Sequence, residues 1–149
     1  MSAKNLFTQD EQDSIVNAIK TAELNTSGEI RVHIEKTCKG DVLDQAANWF
    51  SKLDMHKTEL RNGVLIYLAV LDRKFAVIGD VGINQKVPDD FWDTTKLKML
   101  EHFKVNNLSK GLEEGILMAG EQLKSFFPWQ SDDINELVDD ISFGEEKSN

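Results

Sequence analysis

The chain has 149 residues, of which 40% are hydrophobic and 29% charged, so we expect one folded domain with an ordinary core. Its net charge of −9 argues against nucleic acid or an anionic membrane as the main partner, because both are held by clustered Lys and Arg. The single Cys38 excludes an internal disulfide and, with only three scattered histidines, the usual closed zinc site.

The sequence shows neither a membrane span nor an export signal. Its longest apolar run, Gly63 to Leu71, is far shorter than the ~20 residues that a span needs. The N-terminal residues lack the apolar run of a signal peptide. We therefore expect a soluble, cytosolic protein without membrane insertion.

The first predicted element is a helix over residues 8–25, which begins with a capping-box pair, Thr8 and Glu11. Period-two alternation over 28–35 predicts a strand with one apolar face. A second helical pattern covers 40–53, with an apolar stripe on one side.

The middle of the chain has the pattern of a buried strand followed by a hairpin partner. Residues 63–70 are apolar on both alternating faces, as in a central strand covered by helices on both sides, and 75–78 follow after a short turn. Further helices are predicted from Pro88 to Phe103 and over 108–127. Glycines inside the last helix indicate a close approach to a neighbouring element; they are Gly111, Gly115 and Gly120.

This order of elements predicts an α/β fold. A right-handed crossover makes the first two strands parallel and places helices on both faces of the sheet. We expect a three-layer α/β/α sandwich with a small mixed β-sheet over residues 1–127.

Charge separates the end of the chain from this domain. Residues 1–127 carry 16 basic and 19 acidic side chains, whereas residues 128–149 carry one basic and seven acidic. We expect an acidic C-terminal tail over 128–149 with a short amphipathic helix. Its apolar stripe is a candidate surface for a protein partner and consists of Ile134, Leu137, Val138 and Ile141.

Standard catalytic motifs are missing from the sequence. It has no phosphate-binding glycine-rich loop, nucleophile elbow, metalloprotease helix or EF-hand loop. The histidines are interpreted as ordinary surface or boundary residues, and Cys38 as a small semi-buried one. None of these motifs assigns a role to the acidic residues.

Two segments resemble the TPM domain family, which is named for thylakoid-lumen and photosystem-associated proteins and a receptor-modulating protein. Arg61-Asn62-Gly63-Val64-Leu65 opens a strand that leads through Asp72-Arg73 to Ile78-Gly79-Asp80-Val81-Gly82-Ile83-Asn84. The resemblance covers roughly residues 6–127. It implies a similar fold and divalent-cation binding, and, through plant relatives, a weak acid phosphatase activity.

The family pattern is not matched throughout. Asp80 stands where the family loop has its first glycine, and Asn84 stands where it has glutamate. The positions that match the family pattern are Asn62, Gly63, Gly82 and Asp89.

The predicted topology collects oxygen ligands at one end of the sheet. The hairpin places Asp80 beside Asn62, and Glu29 begins a parallel strand at the same end. The following loop returns Asp89 and Asp90 to that region. Four carboxylates and one amide oxygen suit Ca²⁺, which takes ~6–8 oxygens, with Mg²⁺ and Mn²⁺ as alternatives.

Several alternatives stay open. These carboxylates can instead stabilise a turn, complement a helix dipole or face solvent. Open α/β sheets usually bind ligands at the carboxyl ends of their strands, where Asp41, Asp44 and Asp72 would lie. If the chain is a metal-assisted phosphatase, Asp80 or Asp89 is the candidate nucleophile or base.

Overall fold

The computed structural model describes residues 2–129, 137 and 139–144. After a short 3₁₀ helix at Ala3–Leu6, the helices are α1 (Gln9–Glu23), α2 (Val42–Lys52), α3 (Val81–Asn84), α4 (Asp93–Lys104) and α5 (Leu108–Leu123). The strands are β1 (Glu29–Glu35), β2 (Gly63–Ala69), β3 (Lys74–Gly79) and β4 (Ile141–Phe143). No helix of the described residues is long and apolar enough to cross a bilayer.

The four strands form one mixed sheet in the order β3-β2-β1-β4. β1 pairs in parallel with β2 on one side and with β4 on the other, while β2 and β3 form an antiparallel hairpin. The predicted parallel crossover and the hairpin are therefore confirmed. β4 belongs to the segment 128–149, and the helix predicted there begins at 131–133, outside the described residues.

Alternation along the parallel strands decides which face each helix covers. Ile30, Val32 and Ile34 of β1 are fully buried in the main core, against residues of α1 and α5. On the opposite face, Trp49 and Ala46 of α2 pack in a smaller cluster with Tyr67 of β2. Helices therefore lie on both sides of the sheet, which confirms the predicted α/β/α layers.

The helix predicted from Pro88 begins five residues later, at Asp93. Phe91 and Trp92 are each only 9% exposed, and burying them bends the chain into a turn in which Phe91 N donates to Pro88 O. The prediction of a helix start at Pro88 was therefore wrong. Asp89 and Asp90 lie in the turn ahead of α4 rather than in its first helical turn.

Gly120→Ala is expected to destabilise the domain, although alanine is intrinsically better than glycine in a helix by ~1 kcal/mol. A Cβ at Gly120 would lie 2.8–2.9 Å from Cβ, Cα and O of Ala22, so the backbone of α1 would have to move. Such overpacking costs ~1–3 kcal/mol. Gly115→Ala is the matched comparison, because the three atoms nearest its Cβ all belong to the Met99 side chain, which can move more easily than backbone. Thermal unfolding should rank Gly120→Ala as the less stable, and a more stable Gly120→Ala would contradict the close packing.

Removal of residues 130–149 is expected to lower the free energy of unfolding, because it deletes β4. Ile141 is only 8% exposed, and one buried aliphatic side chain contributes ~1.5–3 kcal/mol. Removal of residues 145–149 alone leaves β4 in place and is the control. Chemical denaturation measures the difference, and equal stability of the two truncated chains would show that β4 does not support the domain.

Candidate functional site

Three of the predicted ligands lie at the same end of the sheet. Glu29 is in register with Gly63 at the start of the two parallel strands, and its N–H donates to Asn62 O at 3.2 Å. Asp80 follows β3, and its N–H donates to Gly63 O at 2.9 Å. The backbone therefore brings Glu29, Asn62 and Asp80 together.

The Asp80 carboxylate is held by an ion pair. Arg61 donates to it twice, from Nε to Oδ2 at 2.7 Å and from Nη2 to Oδ1 at 2.8 Å. Oδ1 also accepts from Val81 N at 2.7 Å, at the start of α3. The Asp80 side chain is 4% exposed, so its charge is neutralised by Arg61 at a buried position. This arrangement gives Asp80 a structural role.

Gly82 explains why the loop after β3 needs a glycine. A Cβ at this position would lie 2.2 Å from Leu60 O and 2.5 Å from Arg61 O. The Gly82 N–H donates to Arg61 O at 2.9 Å, so the loop lies directly on the chain that enters β2. Arg61 has a φ of 51° there, in the left-handed region. The contact fixes the backbone from which Arg61 reaches Asp80.

Asp89 and Asp90 are not joined to this ion pair. Both side chains are exposed, and neither carboxylate makes a hydrogen bond or ion pair within the described residues. Since Phe91 and Trp92 turn inward, the acidic side chains before them face solvent. The structure thus separates Asp89 and Asp90 from the other predicted ligands.

Asn62 is buried beside Glu29. It is 2% exposed, and its Nδ2 donates to Ser27 O at 3.0 Å. Its Oδ1 is buried and has no hydrogen-bond partner in the described part of the chain. A buried amide oxygen without a donor is costly, by ~1–3 kcal/mol. Asn62 Oδ1 is therefore an oxygen that a ligand could use.

Two further carboxyl groups, those of Glu23 and Asp139, lie near Glu29. We call Glu23, Glu29 and Asp139 the carboxyl cluster. Glu29 is 4% exposed, and its Oε1 accepts from Leu137 N at 3.1 Å. Glu23 Oε2 accepts from Ile30 N at 2.9 Å, and its side chain hydrogen bonds to Asp139. The cluster therefore joins α1, β1 and the C-terminal segment.

Burial raises the pKa of Glu23 to about 9, and the hydrogen bond to Asp139 adds to the rise. The negative charges of Asp139 and Glu29 act in the same direction. At neutral pH the Glu23 carboxyl therefore keeps its proton. The proton relieves the repulsion between acidic groups that a divalent cation would also relieve.

Glu23 and Asp139 were not among the ligands predicted from the sequence. Glu23 is the last residue of α1, where an acidic side chain is unfavourable because it lies at the negative end of the helix dipole. That unfavourable position is the sequence signal that could have identified Glu23. Asp139 was assigned to the acidic tail. Its contact with Glu23 spans more than a hundred residues, which no local pattern indicates.

At the carboxyl end of β1 and β2, Asp41 and Asp72 have structural partners. Asp41 caps α2 by accepting from Leu43 N at 2.7 Å, and Asp72 Oδ2 accepts from Cys38 N at 2.7 Å. Asp44 is exposed in the first turn of α2. Across residues 2–129, 137 and 139–144, no three His, Cys, Asp or Glu side chains form a group that could hold a metal ion as placed.

His33 is fully buried, so its interpretation as a surface or boundary residue was wrong. Its Nδ1 lies 2.8 Å from Ser142 Oγ and its Nε2 lies 2.7 Å from Glu35 Oε2. Trp49 stacks on the ring at a centroid distance of 3.8 Å. His33 is buried because Trp49 of α2 covers its ring and the neighbouring strand β4 flanks it. The hydrogen bond to Ser142 helps to hold β4 on the sheet.

The family model described as the TPM domain matches residues 1–122. The chain belongs to the TPM domain family. A search of curated proteins gave no match.

Solved structures share the fold. The NMR structure of the BA42 protein from the psychrophilic bacterium Bizionia argentinensis is 53% identical, with a TM-score of 0.87 over 91% of this chain and 94% of that one. The N-terminal domain of a protein from P. gingivalis is 19% identical, with a TM-score of 0.66 over 82% of this chain and 79% of that one. The N-terminal domain of the cg2496 protein from Corynebacterium glutamicum is 11% identical, with a TM-score of 0.62 over 96% and 84%.

Glu23→Gln is expected to stabilise this TPM domain above neutral pH. The folded state holds a proton on Glu23, whose pKa is about 9, that the unfolded chain releases above its ordinary value of 4.5. Stability therefore falls as pH rises between about 5 and 9. Glutamine can accept from Ile30 N and donate to Asp139 without a charge. We expect a gain of at least ~1 kcal/mol at about pH 8 and little difference at about pH 4.

The measurement is urea unfolding across this pH range. Glu113→Gln makes the same substitution at a position without side-chain partners in the described residues, and it serves as the control. Parallel pH profiles for the parent and Glu23→Gln would show that Glu23 is ionised in the folded protein.

Proposed function

We propose that this TPM domain binds a divalent cation, with Ca²⁺ favoured over Mg²⁺ and Mn²⁺, at the carboxyl cluster. The observation that supports the proposal is that Glu23, Glu29 and Asp139 hold three acidic groups close together in a partly dehydrated position. Mutual repulsion of this kind is relieved by a bound cation. Hard oxygen ligands without nitrogen or sulfur favour Ca²⁺.

The cluster needs a change before it can hold the ion. The described residues contain no ready-made group of three metal-binding side chains, and Glu23 carries a proton. The cation must displace that proton, after which the carboxylates can turn toward it. Asn62 Oδ1 lies nearby as a further oxygen ligand. Asp80 is left out, because its oxygens already accept from Arg61 and Val81.

The position of the cluster supports a regulatory or assembly role. Glu23 ends α1, Glu29 begins β1, and Asp139 precedes β4. A cation shared by these three would fix the C-terminal segment on the domain. Calcium would therefore control how firmly the acidic C-terminal segment, the candidate partner surface, is attached.

Titration with CaCl₂ at about pH 7.5, followed by NMR of the backbone amides, tests the proposal. We expect the amides of Glu23, Glu29, Leu137 and Asp139 to shift, with a dissociation constant of ~0.1–1 mM. Calorimetry in two buffers of different ionisation enthalpy should show proton release, because Glu23 must ionise.

Two matched variants locate the ion. Glu29→Gln removes one ligand charge and should raise the dissociation constant for calcium at least ~10-fold. Asp90→Asn removes the same charge from an exposed side chain without partners in the described residues and should leave binding unchanged. Shifts centred on Asp80, Asp89 and Asp90 would instead support the sequence-based site. No shifts at about 10 mM calcium would refute cation binding at both places.

A weak acid phosphatase, and a protein-interaction module that uses the acidic tail, stay alternative predictions. Hydrolysis of a generic phosphomonoester that is lost in Asp80→Ala would support the phosphatase. That variant also breaks the ion pair with Arg61, so retention of the folded NMR spectrum is the necessary control.

A further inference from the structure

We propose that the domain has a second binding site, for a small carboxylate with an apolar body, at the carboxyl end of β2. A cavity of about 120 Å³ opens there between the β2–β3 hairpin and the turn that joins α4 to α5. We call it the Phe75 pocket; its apolar lining consists of Leu68, Val70, Phe75, Leu100, Phe103 and Leu108.

The lining and size of the Phe75 pocket set the apolar part of the ligand. Phe75 and Phe103 meet edge to face at 5.1 Å and form one wall. An apolar cavity of roughly 150 Å³ holds one benzene molecule, so this cavity of about 120 Å³ accepts about five carbon atoms. A shallower apolar groove continues past Phe75 and Leu100 toward Leu97, which gives room for a longer chain.

Two cationic side chains at the pocket set the charge of the ligand. Arg73 and Lys104 are both exposed and line the cavity, and neither side chain has an ion-pair or hydrogen-bond partner in the described part of the chain. Other lysines of the same helix differ, since Lys96 pairs with Asp93 and Lys98 with Glu101. In a protein with a net charge of −9, two unpaired cations beside an apolar cavity favour an anionic ligand.

The backbone holds both turns of this pocket in an unusual conformation. Arg73 has a φ of 53° and Asn106 a φ of 61°, in the left-handed region that L-residues adopt at a cost of ~1 kcal/mol. These turns set where Arg73 and Lys104 stand relative to the cavity. A guanidinium can bind both oxygens of a carboxylate, while the ammonium adds a point charge. The apolar body then enters between Phe75 and Leu108.

The location agrees with a general property of open α/β sheets, which bind ligands beyond the carboxyl ends of their parallel strands. The Phe75 pocket is at that end of β2, whereas the carboxyl cluster is at the opposite end of the sheet. The two proposals therefore concern separate sites, and either can fail without the other.

Sodium octanoate is the probe, at concentrations well below micelle formation. Methyl NMR should show shifts confined to residues of the pocket, with a dissociation constant of ~0.1–1 mM for a ligand of this size. Affinity should rise by about fourfold per methylene from pentanoate to octanoate, while the chain fills the cavity and its groove. Octyltrimethylammonium has an alkyl chain one methylene longer and the opposite charge, and it should still bind at least ~10-fold more weakly.

The variant pair separates charge recognition from folding. Arg73→Ala with Lys104→Ala removes the two unpaired cations and should weaken octanoate at least ~10-fold, with an unchanged folded spectrum because both side chains are exposed. Lys20→Ala with Lys98→Ala removes the same charge from exposed positions outside the pocket and should not weaken binding. Glu29→Gln should also leave octanoate binding unchanged.

Any of the following outcomes would overturn the proposal. One is the absence of pocket shifts at about 10 mM octanoate. Another is equal affinity for octanoate and octyltrimethylammonium, or equal loss in the two double variants. The third is binding to anionic phospholipid vesicles without binding to monomeric octanoate, which would assign the basic residues to a lipid surface.

Discussion

Burial of a polar strand face is the constraint on which the rest of this domain depends. β1 lies between β2 and β4, and Trp49 of α2 packs on its polar face. Glu29 and His33 on that face are therefore buried, while Arg31 and Glu35 are half-buried. A polar group removed from water needs a partner within the protein. His33 is placed between Ser142 and Glu35, and Glu29 accepts from Leu137 N. The C-terminal segment therefore provides hydrogen-bond partners for polar side chains of β1, and through β4 it also pairs with the backbone of β1.

Local patterning predicted much of the architecture. Period-two alternation located β1 and its apolar face, the doubly apolar run located β2, and the spacing of the hairpin placed Asp80 beside Asn62. The same alternation also led to an error at His33, because a polar strand face looks solvated until its cover is known. That cover includes Ser142, 109 residues further along the chain. Contacts between residues so far apart in the sequence cannot be recognised from a local sequence pattern. For the same reason, the contact of Asp139 with Glu23 was not predicted.

The residues that carry the family resemblance have clear structural roles. Gly82 has to be small because the carbonyls of Leu60 and Arg61 occupy the place of a Cβ. Asp80 starts α3 and neutralises Arg61, two residues before β2. Sequence motifs whose residues fix the backbone conformation are good indicators of the fold but poor indicators of the ligand. The acidic residues of the candidate cation site lie beside this motif rather than within it, so motif positions alone gave an incomplete set.

The smallest strand of the sheet has a consequence for the order of folding. β4 contributes three residues, and in the sequence all the helices after β1 lie between it and its partner strand. Loop closure over such a distance is slow compared with local helix and hairpin formation. During that interval, β1 offers a free edge with unpaired N–H and C=O groups next to Val32 and Ile34. An open edge of this kind promotes strand exchange between chains. Docking of β4 therefore closes the edge of β1 at which two folding chains could associate.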